Sequence, residues 1–415
     1  METVDVLIKN ANELVTLKGK NKQRIKKEMS NLGIISNGSI AVKDGKIIDI
    51  GKDLRYRAER VIDAKKKTIL PGFIDPHTHL VFAGSREFEL DMKLKGLTYM
   101  DILKQGGGIV YTVNKTRKAS NVTLLEESKT RLDNMLKYGT TTCEGKSGYG
   151  LNTESELKIL KVQKKLNDIH PIDIVSTFLG AHAVPNDYKT NDYVDLIIDE
   201  MIPKVRNLAS YCDVFCEKGV FTVSQSRKIL KIGKSYGLIP KIHADEIVDT
   251  GGAALAAEVG AISADHLLMA NDNGLKNMAY KGIIGVMLPG TPFSLMMKNY
   301  APARKMIDMG IPIAIATDLN PNCWTENMQF IIQLACLNMK MTPAEAICAA
   351  TFNAACAIGF NDKVGSLEKG KQADLIILDC PNHKYIPYHF GINLVDIVIK
   401  KGKIIIDSST KLKNS

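Results

Sequence analysis

The middle of the chain alternates short apolar runs with segments of helical periodicity. Eight apolar runs have the length of strands, at residues 73–79, 140–144, 172–180, 213–217, 239–243, 262–266, 284–288 and 311–317. Amphipathic segments lie between them, several beginning with the Thr, Asp or Asn of an N-cap, at 123–137, 153–166, 192–208, 222–236, 250–258, 273–281 and 301–309. This alternation predicts an α/β fold, a (β/α)8 TIM barrel. A doubly wound sheet is the alternative, although no G-x-G-x-x-G motif follows an early strand to favour it.

Both ends of the chain carry a different pattern, of short strands without long helices. The N-terminal strands are expected at 4–7, 13–16, 39–43, 46–50 and 60–63, with Asp44-Gly45 as a hairpin turn. The C-terminal strands are expected at 373–378, 395–399 and 404–406. Because the chain leaves this pattern and returns to it, both ends can pair in one small β domain. We therefore expect residues 1–66 and 359–415 to form the β domain, and residues 67–358 to form the barrel.

The composition is that of an ordinary globular protein. The chain has 415 residues, of which 45% are hydrophobic and 24% charged. It contains no apolar run of eighteen residues and no visible secretory signal, so we expect a cytoplasmic protein without a membrane partner. The eight cysteines form no C-x-x-C pair and are expected as free thiols, with Cys212 and Cys216 a weak alternative metal pair.

The net charge of +10 raises the possibility of a nucleic-acid partner. The excess is mostly lysine, spread along the chain, and the local clusters lack interleaved aromatic residues. A solvated lysine-rich surface explains this pattern better, so no nucleic-acid partner is expected. The positive charge can still attract a small anionic substrate.

Histidines collect where the predicted strands end. His77 and His79 are one residue apart, so in an extended strand their imidazoles point to the same side. In a TIM barrel the strand ends form the catalytic face. That face is expected to hold five of the eight histidines and one aspartate, namely His77, His79, His182, His243, His266 and Asp318. A chance pair of surface histidines is the alternative for the first two, and His170, His383 and His389 do not follow the pattern.

This set predicts a catalytic metal site. His77, His79, His243 and Asp318 offer three nitrogens and one oxygen and leave room for water, which such a metal activates. Asp318 could accept the proton of that water, or Glu246 could carry a proton to a leaving nitrogen. His266 could polarise the carbonyl under attack. A helix-capping role for Glu246 and an orienting role for His266 beside the metal ligands remain open.

The metal set and two longer motifs resemble the amidohydrolase superfamily. The motifs are LPGFIDPHTH at 70–79 and GSLEKGKQADL at 365–375. The resemblance implies a distorted barrel, a small β-sandwich built from both termini, and one divalent metal, zinc or iron. Members with two metals use a carboxylated lysine from strand four. Lys218 lies just beyond that strand here, but we favour a single metal because the ligand set is already complete.

Further motifs narrow the resemblance to superfamily members that open the ring of 4-imidazolone-5-propanoate with water in histidine degradation. They are FAGSR at 82–86, GGGI at 106–109, KSGYGL at 146–151, FLGAH at 178–182 and DLNP at 318–321. The product of these enzymes is N-formimino-L-glutamate, and a homodimer is implied. By resemblance, Arg86 binds the propanoate, Tyr149, His182 and Asn320 contact the ligand, and Glu246 engages the ring. An arginine suits a carboxylate because it can pair with it through two hydrogen bonds. A surface ion pair with Glu87 or Glu89 is the alternative for Arg86.

The chain departs from this pattern at Asn322 and Cys323. Many members have glycine and a small hydroxyl residue there. Both positions are expected to contact substrate, Asn322 through its backbone, but a hydroxyl contact cannot survive unchanged at the Cys323 thiol. Two other functions stay open: another amidohydrolase activity, such as deamination of a purine or pyrimidine, and a non-catalytic binding protein.

Overall fold

In the computed structural model, which describes residues 2–97 and 99–408, the strands form two separate eight-stranded sheets. The strands are β1 (Thr3–Val15), β2 (Ile34–Lys43), β3 (Lys46–Gly51), β4 (Arg57–Asp63), β5 (Thr68–Pro71), β6 (Phe73–Asp75), β7 (Thr140–Lys146), β8 (Asp173–Ala181), β9 (Tyr211–Cys216), β10 (Ile239–Ala244), β11 (Ser263–His266), β12 (Ile284–Met287), β13 (Ile313–Ile315), β14 (Leu375–Leu378), β15 (Val395–Lys400) and β16 (Lys403–Asp407).

Most of the helices lie between strands β6 and β14. They are α1 (Phe88–Leu94), α2 (Tyr99–Lys104), α3 (Gly108–Lys118), α4 (Asn121–Lys137), α5 (Thr153–Ile169), α6 (Thr190–Leu196), α7 (Ile202–Val205), α8 (Val223–Ser235), α9 (Gly252–Val259), α10 (Asp272–Lys281), α11 (Gly290–Ser294), α12 (Ala303–Met309), α13 (Met328–Leu337), α14 (Pro343–Ala349), α15 (Phe352–Ala357) and α16 (Tyr385–Tyr388). A 3-10 turn covers Lys26–Ser30. No helix in the described part of the chain has the length and apolarity needed to cross a bilayer.

The eight strands β6 to β13 form the predicted barrel. They pair in sequence order, and every neighbouring pair is parallel. The first and last strands meet just beyond their ends, where Thr78 bridges to Leu319 and the backbone N–H of His79 donates to the carbonyl of Leu319 at 2.9 Å. The TIM-barrel prediction is therefore confirmed, and all seven predicted helical segments between the strands contain helix.

One predicted helix is interrupted. The segment 192–208 forms α6, a π-helical turn at Ile197–Met201, and α7. Pro203 lies near the start of α7 and has no backbone N–H to donate. The wider π turn just before it accommodates the missing bond. Periodicity alone did not reveal this interruption, because the apolar spacing continues through it.

The second sheet is mixed and contains both ends of the chain. Its order is β16-β15-β14-β5-β1-β2-β3, with β4 paired to β1 beside β5. The predicted strands 4–7 and 13–16 are parts of one strand, β1. A bulge between Ile8 and Ala11, with Asn10 at φ +62°, lets the pairing with β2 continue through the polar residues between them. The Asp44-Gly45 turn joins β2 to β3 as predicted, and both residues have positive φ.

The two termini join through β5 and β14, which pair antiparallel with Ile376 opposite Leu70. The predicted small β domain built from both ends is thus present as this mixed sheet. The mixed sheet also includes β5 (Thr68–Pro71), which lies beyond the predicted limit of the N-terminal part at residue 66. The domain limits at 66 and 358 themselves stay predictions.

Gly72 is the one residue between the mixed sheet and the first barrel strand. Its N–H donates to the carbonyl of Asp374 at 3.1 Å. A Cβ at this position would lie 2.3 Å from Oγ1 and 2.4 Å from Cγ2 of Thr141. Only glycine fits this close approach to barrel strand β7. The bond to Asp374 links the same residue to the mixed sheet, so the start of the strand that leads to His77 and His79 is fixed from both sides.

We expect Gly72→Ala to destabilise the protein by about 1–3 kcal/mol, because the added methyl group must displace the stiff, buried Thr141 side chain. Thermal unfolding would record the loss as a lower Tm. The matched control is Gly51→Ala, where the nearest atom to the new Cβ, Cδ2 of Leu54, lies at an ordinary 3.6 Å. Equal melting temperatures for the two variants would contradict this account.

Candidate active site

Three imidazoles meet at the C-terminal end of the barrel. His77 and His79 follow β6 and His243 lies in β10, and one ring nitrogen from each lies within 4.8 Å of the others. All three are buried. Oδ1 of Asp318, just after β13, is 3.4 Å from Nε2 of His77 and 3.6 Å from Nε2 of His79. The structure therefore brings together the four residues predicted as metal ligands.

The donor atoms of this cluster fit a divalent metal. Within the described residues, Nε2 of His77, Nδ1 of His79 and Nε2 of His243 have no hydrogen-bond partner. Buried polar atoms without partners are costly, and a metal would satisfy them. Burial lowers the pKa of His77 and of His79, which keeps these rings neutral, as ligands must be. In the described part of the chain, no other group of three or more such side chains is close enough to hold a metal.

Carboxylates beneath the cluster orient two of the rings. Oδ2 of Asp265 lies 2.6 Å from Nδ1 of His77. Oδ2 of Asp213 lies 3.1 Å from Nδ1 of His243. Such partners fix which ring nitrogen faces a metal. Burial lowers the pKa of His243, but the Asp213 carboxylate outweighs it and the pKa is raised.

Two lysines and a third carboxylate surround Asp213 and Asp265. The five side chains form a fully buried layer, which we call the buried ion network: Glu144, Lys146, Asp213, Lys241 and Asp265. Nζ of Lys146 lies 2.7 Å from Asp213, 2.9 Å from Glu144 and 3.3 Å from Asp265. Nζ of Lys241 donates to Glu144 at 2.6 Å. Burial alone would lower the pKa of Lys146, but the three carboxylates outweigh it and the pKa is raised.

Sequence reasoning missed the buried ion network. Its members lie inside apolar runs, where a charged residue is easily assigned to the outer face. One signal was present. Lys241 stands two residues before His243, and Lys146 two after Glu144, so each pair points to the same side of its strand.

The predicted proton-carrying groups lie next to the imidazoles. Oε1 of Glu246, whose side chain is 19% exposed, is 3.7 Å from Nδ1 of His266. Burial, helped by the negative charge of Asp318, raises the pKa of Glu246 to about 8. Burial also raises the pKa of Asp318 to about 6, although Thr291 donates a hydrogen bond to its carboxylate. A carboxyl group with a raised pKa can hold a proton near neutral pH.

The backbone turns sharply at three strand ends. Asp245, His266 and Asp318 have φ values of +51°, +73° and +55°. Such left-handed conformations cost free energy in residues other than glycine, and they cluster at functional sites. His266 and Asp318 owe the direction of their side chains to these turns.

Tyr149 and His182 lie on the side of the cluster nearest His79. The ring of His182 stacks on that of His79, with centroids 4.8 Å apart and planes 14° apart. The ring of Tyr149 is 5.5 Å from that of His79 and 5.3 Å from that of His182. Two of the residues predicted to contact the ligand are thus beside the predicted metal ligands.

Arg86 is buried and paired. Its Nε and Nη2 donate to the two carboxylate oxygens of Glu89 at 2.7 and 2.8 Å. The Glu89 carboxylate also accepts from the N–H of Gly108 at 2.6 Å. Arg86 is therefore held in one orientation, and its Nη1 is not used by Glu89.

The loop after β13 is organised by its own side chains. Asn320 donates from Nδ2 to the carbonyl of Asp318 at 2.7 Å and accepts from the N–H groups of Asn322 and Cys323. The Cys323 thiol is buried and donates to the carbonyl of Thr317 at 3.5 Å. The side chains of Asn320 and Cys323 thus serve the loop itself. Their predicted substrate contacts, and that of Asn322, stay predictions.

Arg131 links the loop after β6 to the loop after β13, and no sequence signal indicated it. Nη1 donates to the carbonyls of Leu80 and Phe82, each at 3.0 Å. Its guanidinium carbon lies 3.6 Å from the centroid of the Phe82 ring and 5.1 Å from that of Trp324. Through these contacts α4 holds two of the loops that carry predicted substrate residues.

Comparisons with known proteins agree with this geometry. A sequence profile described as the amidohydrolase family matches residues 68–405. Proteins named imidazolonepropionase from Geobacillus kaustophilus and Alkaliphilus metalliredigens are 56% and 54% identical to the chain, over 97% of its length and 98% of theirs.

A solved structure has the same fold. The crystal structure of an adenosine deaminase from Xanthomonas campestris with bound zinc has a TM-score of 0.74 and covers 100% of this chain and 97% of that one, at 18% identity. At this identity the likeness concerns the fold alone. Profile and full-length relatives confirm what the sequence motifs predicted: the chain belongs to the amidohydrolase family, among its imidazolonepropionases.

Proposed function

We propose that this protein hydrolyses 4-imidazolone-5-propanoate to N-formimino-L-glutamate in histidine degradation. The observation that carries the proposal is the full-length match to proteins named imidazolonepropionase, at 54% and 56% identity. The position of Tyr149 and His182 beside the predicted metal ligands supports it. The substrate is thus a small anion. A homodimer in the cytoplasm is part of the proposal, and eight free thiols suit that reducing compartment.

His77, His79, His243 and Asp318 would hold one zinc or iron ion, since imidazole and carboxylate ligands suit both. A divalent ion at such a site lowers the pKa of a water molecule toward about 7 and makes it a nucleophile at neutral pH. The buried ion network keeps His77 and His243 aimed at that position.

The remaining residues would orient the substrate and move protons. Arg86 would bind the propanoate, while Tyr149 and His182 would contact the ring. Asp318 would accept a proton from the attacking water, and the neutral His266 would donate a hydrogen bond to the carbonyl oxygen as negative charge develops.

Glu246 would complete the reaction by giving its proton to the departing ring nitrogen. The new C–O bond turns the ring carbonyl carbon into a carboxylate, and the broken C–N bond leaves the formimino group on the other nitrogen. The raised pKa of Glu246 supports this role, because a proton donor must start in its protonated form.

We expect the purified protein, supplied with zinc or iron, to consume imidazolonepropanoate. His77→Ala and His79→Ala should each lower metal affinity by more than about 100-fold, because a direct ligand contributes more than the outer partners of a ligand do. Metal analysis and turnover would record both losses. The exposed His389 gives the matched control, His389→Ala, which should retain metal and activity. Full turnover by a metal-free His77→Ala/His79→Ala protein would contradict the proposal.

Glu246→Gln should lower kcat by about 10²- to 10⁴-fold, as expected for a lost proton donor. Metal content should not change. In the unaltered protein, kcat should be highest below the pKa of Glu246 and fall as pH rises through it, because the proton to be donated is lost. A bound divalent ion lowers this pKa from the value near 8 in the metal-free protein. An unchanged alkaline limb in Glu246→Gln would show that another group donates.

Arg86→Gln should raise KM for imidazolonepropanoate by about 10- to 100-fold, because a charge-assisted pair to the carboxylate is lost. The carboxamide analogue of the substrate, which lacks that charge, should be affected much less. The double variant Arg86→Gln/Glu89→Gln controls for the carboxylate left without its partner. An unchanged KM, with ammonia released from a purine or pyrimidine instead, would favour deamination.

A further inference from the structure

The charge around Arg86 does not by itself suit an anionic substrate. The guanidinium of Arg86 is already paired through two hydrogen bonds with Glu89, and both side chains are buried. The pair carries no net charge, so a substrate carboxylate beside it would be buried against a neutral pair. An uncompensated buried carboxylate is strongly unfavourable. A second cation at this place would remove that cost.

Lys93 lies where such a cation is needed. It stands on α1 four residues after Glu89, so the two side chains share one face of the helix. Its side chain is half-buried, whereas lysines are mostly exposed. Burial lowers the pKa of Lys93, Glu89 opposes that shift and Arg86 adds to it, so all three groups act on one another.

The ammonium of Lys93 is held in place by a neutral group. Nζ donates to Oδ1 of Asn322 at 2.6 Å, across 229 residues of sequence. An amide oxygen orients the ammonium but brings no negative charge, and the ammonium has three donors, of which this bond uses one. The contact joins α1 to the loop after β13, which also carries Asn320.

We propose that Lys93 is a second cation for the substrate carboxylate, and that Asn322 is the residue that positions it. The inference rests on the proposed function and extends it. Arg86 and Lys93 together with Glu89 carry one net positive charge, which matches one carboxylate. Two cations around one carboxylate also favour a carboxylate over a neutral side chain.

The test measures binding and turnover separately. The binding probe is 3-(imidazol-4-yl)propanoate, which carries the carboxylate but has no amide bond to hydrolyse, and its carboxamide is the uncharged counterpart. Calorimetry gives Kd for both with the metal-loaded protein, and steady-state kinetics with imidazolonepropanoate gives KM and kcat. The variants are Lys93→Gln, Lys93→Arg and Asn322→Ala. Lys95→Gln is the matched control, since Lys95 ends the same helix with 73% of its side chain exposed.

Lys93→Gln should raise Kd for the carboxylate probe, and KM, by about tenfold or more, as a lost charge-assisted bond predicts. Lys93→Arg should restore part of the loss, and kcat, metal content and Kd for the carboxamide should change little. Asn322→Ala should raise Kd by a smaller factor, about threefold, and add nothing in the Lys93→Gln background, because the two residues act as one unit. Lys95→Gln should match the unaltered protein.

Two results would overturn the role of Lys93 and leave the proposed function intact. One is an unchanged KM in Lys93→Gln while the unaltered protein turns over imidazolonepropanoate. The other is an equal loss for the carboxylate and the carboxamide with a lower Tm, which would identify Lys93 as structural only. Failure of the unaltered, metal-loaded protein to turn over the substrate would instead overturn the proposed function, and the role of Lys93 with it.

Discussion

The compensation of charge inside the barrel is the constraint on which the site depends. Two ammonium groups and three carboxylates of the buried ion network have no exposure to solvent. Breaking such a buried set by removing one partner costs about 3–5 kcal/mol, because a charge is left without compensation. Two of the carboxylates contact His77 and His243. The directions of these imidazoles are therefore fixed from below by groups that cannot rotate without losing their own partners.

The loops above the imidazoles are held by a different kind of contact. Arg131 holds the loop after β6 in place, because it donates hydrogen bonds to two carbonyls there and stacks on Phe82. Lys93 and Asn322 join α1 to the loop after β13. Asn320 bonds within that loop. These bonds hold the two loops in place without a ligand, which reduces the entropy lost on binding.

The sequence predicted those parts of the site that depend only on the order of strands along the chain. Parallel strands deliver their last residues to one face, so reading strand ends brought His77, His243 and Asp318 together without knowing any distance. The buried ion network could not be found this way, because whether Lys146 points into the barrel or compensates Asp213 depends on neighbours far along the chain. The hydrogen bonds that the Asn320 side chain makes within its own loop could not be predicted from the sequence either. The uninterrupted strand β1 was missed because a bulge hides its continuity in the hydrophobic pattern.

The chain contains a single tryptophan, Trp324, and its position gives the loop after β13 an optical label of its own. The indole is 45% exposed, lies edge-on to Phe82 at 5.1 Å between ring centroids, and donates from Nε1 to Glu326. It stands two residues after Asn322 and beside the guanidinium of Arg131. Indole emission from this protein therefore comes from one place, next to the loop that carries Asn320 and Asn322. A change in that emission when a ligand is added would originate there, without any engineered fluorophore.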